Sequence, residues 1–226
     1  MKFDELIFYR QKIINFAEDK EVEYELLLRL RTSDGCYFPS EMFDEIVSDH
    51  EKHNLYLKRL DELLQEQLKK DDYTYSLNLD YQELYFDETV EFLRDFKYKN
   101  RIRIELTERL PVNCYDEENV LPLEAIKSIK EMGYAIALDD FLSGINHYTT
   151  LFVLNAYVDR VKISALDFNS YLSHDELQKF IFSIVNTIAF LEKEIVIEGV
   201  EEEEILAAFP KEWLQQTYYY DRPHDF

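Results

Sequence analysis

Residues 134–140 read Tyr-Ala-Ile-Ala-Leu-Asp-Asp, an uncharged run that ends in two successive acids. A run that is apolar without alternation is the pattern of a strand covered on both faces, as in a parallel sheet. A carboxylate is costly to bury without a partner, so Asp139 and Asp140 mark a strand end at which charge serves a purpose. Working outward, comparable β-rich runs occur at 6–9, 22–30, 73–80, 101–107, 157–164, 194–200 and 216–220. Helical patterns lie between most of them. In 173–191, Leu177, Ile181, Ile184, Ile188 and Leu191 fall on one helical face, and Ser173 with Glu176 forms a capping box at its start. Residues 121–132 end at Gly133, which tolerates a left-handed C-cap. The charged stretch 40–70 has room for two helices.

Eight strand signals alternating with helices predict an α/β fold, a modified (β/α)8 TIM-like barrel occupying 1–226 as a single domain, with an open doubly wound sheet as the alternative. Only Asn15 to Glu21 separates the first two runs. A parallel pair needs a crossover of about a dozen residues or more, so the first strand is predicted to be antiparallel to the second.

Charge narrows the function. Across 226 residues, 25 basic side chains face 47 acidic ones, a formal net charge of −22. Such a chain repels polyphosphate over most of its surface, which excludes an extended nucleic-acid polymer and an anionic membrane as partners. A small anionic substrate remains open if metal ions carry the positive charge. The N-terminus lacks an apolar signal core, no stretch approaches a membrane span, and Cys36 and Cys114 form no framework or CxxC pair. The expectation is a cytoplasmic protein with both cysteines reduced.

Polar residues recur on strands that otherwise read as buried: Glu25, Asn78, Glu105, the pair Asp139–Asp140, Lys162 and Glu198, with Gln216 opening the last run. Carboxylates converging at one end of a barrel repel each other unless cations hold them. Oxygen donors without His or Cys suit Mg²⁺, Mn²⁺ or Ca²⁺ better than Zn²⁺. Adjacent Asp139 and Asp140 can serve a pair of ions with one Asp shared, the arrangement used for in-line phosphoryl chemistry. His50 and His53 lack metalloprotease spacing and read as solvated, Glu202 to Glu204 as an acidic first helical turn, and Tyr218 to Tyr220 as core.

Seven motifs in order resemble the EAL domain family of cyclic di-GMP phosphodiesterases over nearly the whole chain. They are Glu25-Leu26-Leu27 with Arg29, Asn78 in SLNLD, Glu105-Leu106-Thr107-Glu108, Asp139 to Gly144, Asp159 to Ile163 with Lys162, Glu198-Gly199-Val200-Glu201, and Gln216 through Pro223. The resemblance implies hydrolysis of cyclic di-GMP to linear pGpG with two Mg²⁺ or Mn²⁺ ions per site. Glu25, Asn78, Glu105 and Asp139 would hold one ion. Asp139 would bridge to a second ion completed by Asp140, with Glu198 in its shell. Lys162 would orient the attacking water, and Glu201 and Gln216 would line the same mouth with catalytic roles. Arg29, Gln11 and Leu27 would contact substrate, and Glu108 would hold the loop after Asp140. A homodimer coupled through that loop is also implied. The alternative is a cyclic di-GMP receptor that signals through a protein partner without efficient hydrolysis.

The chain departs from the family pattern at Leu142 and Thr217, where glycines are usual, at Ser164, where Asp follows the lysine strand, and at Lys12, where proline is usual. None of these removes an expected metal ligand. Leu142 is expected to strain its loop if that position needs a positive φ, or to supply an exposed apolar contact at a dimer interface.

Overall fold

The alternating apolar positions of Leu6–Ile13 (β1) zip antiparallel onto Glu23–Thr32 (β2), in a register running from Leu6 opposite Leu30 to Ile13 opposite Glu23. In this computed structural model, residues 3–17, 23–111, 121–166 and 168–225 are described, and Cys114 lies outside them. A short strand, Gly35–Tyr37 (β3), folds back on β2 and was not foreseen from sequence. From β2 onward the sheet is parallel: Thr74–Leu79 (β4), Ile102–Leu106 (β5), Ala135–Leu138 (β6), Arg160–Ser164 (β7), Glu194–Glu198 (β8) and Leu214–Gln216 (β9). The order β1-β2-β4-β5-β6-β7-β8-β9 follows the chain. The two ends meet where Ile14 and Gln215 exchange both backbone hydrogen bonds, at 2.9 and 3.0 Å. The fold is therefore the TIM-like barrel with an antiparallel first strand, not an open sheet.

Helices cover the outside. Ser40–Ile46 (α1) and His50–Leu68 (α2) fill the long charged stretch, followed by Asp87–Asp95 (α3), Leu123–Glu131 (α4), Tyr148–Val153 (α5), His174–Ile188 (α6) and Glu203–Leu206 (α7). In α6, Leu177, Ile181, Ile184 and Ile188 are buried as one stripe, and the Ser173–Glu176 capping box is formed. The acidic residues Glu203 and Glu204 open α7 as expected. Among the described residues no helix is long and apolar enough to cross a membrane.

Inside the barrel, side chains two residues apart on a strand form successive layers. Near the strand starts, Arg160 is 1% exposed and grips both Glu23 carboxylate oxygens, with its Nε donating to Glu194 at 2.7 Å. Arg103 adds a bond to Glu23 at 3.2 Å. Two guanidiniums thus meet two carboxylates, and the Arg160 charge holds the Glu23 carboxyl below its ordinary range despite burial.

Several expectations are corrected. The last strand stops at Gln216 instead of starting there, because its partner β8 ends at Glu198 and Gly199 turns away with φ 68°. Without a strand to pair with, Tyr218 to Tyr220 lie in a turn and are exposed, not core. His53 is not solvated: it is 1% exposed, Nε2 lies 2.8 Å from the Thr89 hydroxyl, and the ring stacks on Phe86. Burial lowers its pKa to about 4. His50 is exposed, beside Glu88. Leu142 does adopt a positive φ, 81°, and it is half-buried against the chain's own core.

Candidate active site

The inward-facing periodicity that builds the Arg160 layer places Glu25, Glu105 and Lys162 two residues further along the same three strands. They meet Asp139, just beyond the end of β6, and Glu198, the last residue of β8. Lys162 is 1% exposed. Its Nζ lies 2.6 Å from Glu105, 2.8 Å from Glu198, 2.9 Å from Asp139 and 3.4 Å from Glu25. Glu25 is further held by Asn78 Nδ2 on one carboxylate oxygen and by Gln216 Nε2 on the other. Gln215, a neighbour that sequence alone could not separate from Gln216, instead sends its side-chain amide to the Leu206 carbonyl.

One ammonium cannot neutralise four carboxylates, three of them buried. Burial pushes Glu105 up to about 7 and Asp139 up to about 7, in spite of Lys162. Burial also raises Asp140 and Glu198. Glu25 goes the other way: burial works against its charge, but Lys162 and the Asn78 and Gln216 donors outweigh it. Lys162 is held charged by the acids around it, although burial opposes this. Near neutral pH the cluster must share protons or take up cations.

The donor set fits hard divalent cations. Oxygens of Glu25, Glu105 and Asp139 lie within 4.8 Å of one another, and so do those of Glu108, Asp139 and Asp140. The two groups share Asp139. Glu105 Oε1 and Asn78 Oδ1 are buried acceptors with no hydrogen-bond partner, which is costly unless something electropositive meets them. Glu198, which the family resemblance places beside a second ion, forms an ion pair here with Lys162. The side chain that joins Asp140 is Glu108, and its backbone carbonyl also accepts the Ile145 N–H at 2.9 Å. Gly144, at φ 48°, passes so close that a Cβ there would meet the same carbonyl at 1.9 Å.

The remaining sequence-predicted residues surround the cluster. Two recesses of about 340 and 230 Å³ flank it and share Leu27, Arg29, Asp139 and Asp140 as lining. The larger runs under Phe38, Phe43 and Tyr56, and the smaller reaches Gln11, Glu201, Gln216 and Tyr218. Gln11 accepts from Gln216 and donates to the Asp221 carbonyl, while Glu201 accepts the Tyr218 N–H at 3.0 Å. Sequence reading missed Asn146, a buried side chain that bonds the Leu106 and Asp139 carbonyls. No local pattern announces it, because its partners are backbone atoms of other segments.

Comparison with known proteins agrees with this fold. The sequence matches the model of the EAL domain over residues 1–211. No curated protein sequence matches the chain. Among solved structures, the EAL enzyme Bd1971 in its cAMP-bound form superposes with a TM-score of 0.73 at 21% identity, over 98% of this chain and 64% of that one. This chain therefore spans just under two-thirds of that protein's length. An EAL domain protein from Listeria monocytogenes gives 0.72 at 25% identity, over 97% and 89%. A manganese and cyclic di-GMP complex of Klebsiella pneumoniae BlrP1 gives 0.72 at 26% identity, over 97% and 56%.

Proposed function

The chain belongs to the EAL domain family, and from that premise we propose that it is a metal-dependent phosphodiesterase that opens cyclic di-GMP to linear pGpG. The observation that carries this reading is the pair of carboxylate groups sharing Asp139, with unpartnered buried oxygens on Glu105 and Asn78. Glu25, Asn78, Glu105 and Asp139 would hold one Mg²⁺ or Mn²⁺, and Asp139, Asp140 and Glu108 the second. Ions bound there lower the pKa of water and offset charge on the phosphate.

The protein's own side chains do the rest. Arg29, which lines both recesses, matches phosphate oxygens with its planar fork. The recesses on either side of the acids suit the two halves of a dinucleotide with one phosphate at the centre. Lys162 keeps a full positive charge beside Glu105 and Asp139, where it orients the attacking water and stabilises negative charge as it develops on phosphate oxygen. The water oxygen bonds to phosphorus, one P–O ester bond breaks, and the leaving oxygen takes up a proton. Gln216 and Asn78 hold Glu25 in one rotamer throughout. A homodimer and a cytoplasmic location complete the proposal.

The test is chromatographic detection of pGpG after incubation with cyclic di-GMP and Mn²⁺ or Mg²⁺. Turnover that disappears on chelation supports the reading. Tight binding of cyclic di-GMP with no product under any divalent ion would replace it with the receptor function.

A further inference from the structure

Behind the acids sits a side chain that reaches no substrate-facing surface. Asn146 is fully buried, and its Nδ2 donates to the Leu106 carbonyl at 2.8 Å and to the Asp139 carbonyl at 2.7 Å. Its Oδ1 accepts from the hydroxyl of Tyr81, also fully buried, at 2.8 Å. The amide can face only one way, since exchanging its oxygen and nitrogen would set an oxygen against two carbonyl oxygens. Leu106 follows Glu105 directly, and its carbonyl also accepts the Asp139 N–H at 3.0 Å. One amide group therefore ties the end of β5 to the end of β6 at the residues that carry Glu105 and Asp139.

The backbone of Asn146 holds the loop between them. Its carbonyl accepts the Leu142 N–H at 2.6 Å, and its N–H donates to the Ser143 carbonyl at 2.9 Å. That loop contains two non-glycine residues in the left-handed region, Asp140 at φ 40° and Leu142 at φ 81°. L-residues resist this conformation because Cβ crowds the following carbonyl, so it persists only where surrounding bonds impose it.

We propose that Asn146, oriented by Tyr81, is a positioning residue for the divalent-cation site, fixing the separation of Glu105 from Asp139 and the course of the loop that presents Asp140. This deepens the two-ion phosphodiesterase reading and rests on it. Deleting the amide leaves two buried carbonyls short of a donor and frees the strand ends to separate. Removing the Tyr81 hydroxyl keeps both carbonyl bonds but lets the amide swing. Supports of this kind typically change metal affinity by about 10–100-fold when lost.

The experiment uses the full chain with Mn²⁺ as probe. Affinity is read by titration calorimetry on folded protein, and the melting temperature is read in chelator. Asn146→Ala should weaken Mn²⁺ binding by about 10–100-fold and Tyr81→Phe by several-fold. The control Glu23→Gln, in the layer at the strand starts, should lower the melting temperature while leaving Mn²⁺ affinity within about twofold. An Asn146→Ala protein that loses melting temperature like the control yet binds Mn²⁺ like wild type would overturn the assignment and leave the phosphodiesterase reading intact. If Asn146→Ala does not fold, Tyr81→Phe decides alone, and unchanged affinity overturns the assignment. Wild-type protein that takes up no Mn²⁺ would overturn both together.

Discussion

Glu23 and Glu25 stand two residues apart on β2, as Arg160 and Lys162 do on β7 and Arg103 and Glu105 on β5, yet the two layers they form have opposite economies of charge. Around Arg160, two guanidiniums meet two carboxylates and the charges balance. Around Lys162, four carboxylates crowd one ammonium and acceptor oxygens are left over. The first layer is finished by the chain alone and holds the barrel together. The second is left incomplete by the chain, and in the proposed reading cations finish it and chemistry takes place there. A closed ion network and an incomplete one can thus sit a few ångströms apart on the same strands.

The strongest way to break this comparison is to remove the acid on β2 from each layer in turn. Glu25→Ala is expected to lower hydrolysis of cyclic di-GMP by about a thousandfold with little change in melting temperature in chelator, measured by product chromatography and calorimetry. A Glu25→Ala protein that hydrolyses normally would strip the upper layer of its role. Glu23→Ala should do the reverse. It leaves Arg160 buried without its bidentate partner, a loss of about 3–5 kcal/mol in denaturant unfolding, while turnover per folded molecule holds.

Cation binding sharpens the contrast at a smaller scale. Mn²⁺ at about 100 times its dissociation constant should stabilise the wild type by about 2.7 kcal/mol. The Glu23→Ala protein should keep that increment and Glu25→Ala should lose it. Equal stabilisation of both variants would place the ion elsewhere.

The smallest effect is a pH dependence in chelator. Glu105 and Asp139 are raised to about 7 in the fold by burial, whereas an unfolded carboxyl titrates near 4. The folded state then binds more protons than the unfolded state around neutrality, so stability falls as pH rises. Between pH 6.5 and 8.5 the metal-free protein should lose about 1–2 kcal/mol, and Mn²⁺ should reverse the slope. Glu23, whose pKa is lowered, and His53, lowered to about 4, do not titrate in that window. A flat profile would mean that the acids are neutralised without cations.

The barrel and its acidic mouth were legible because each rests on a local pattern: unbroken apolar strands, and acids where such strands end. The lower layer was not. In the stretch Arg101 to Glu105, charged and apolar residues alternate, and nothing local says where Arg103 finds its counter-charge. Only closure of the barrel brings Arg103 and Glu105 onto Glu23 and Lys162. His53 misled for a similar reason, since α2 is charged overall and the Thr89 and Phe86 that enclose the imidazole come from a later segment. Gln216 was found but placed at the wrong end of its strand, because the end was decided by where β8 stops.

Closure of the barrel has a further consequence, in folding kinetics. From Arg10 to Ile14, at and just beyond the end of β1, alternate amides are met by the C-terminal segment: Arg10 donates to the His224 carbonyl, Lys12 to the Asp221 carboxylate and Ile14 to the Gln215 carbonyl. These contacts span about 200 residues of chain, as in the Lys12–Asp221 separation of 209. Contacts so distant in sequence carry the largest loop-closure cost and form late. The β1–β2 hairpin, by contrast, is local and can form early. Glu25 therefore acquires its neighbours in two stages: Asn78, on the adjacent β4, comes with the growing sheet, and Lys162 and Gln216 arrive only when the sheet curls shut and the two ends of the chain meet. A refolding chain would hold its strands before it holds the ammonium and the last amide that fix Glu25, so completion of the acidic cluster should trail the return of secondary structure.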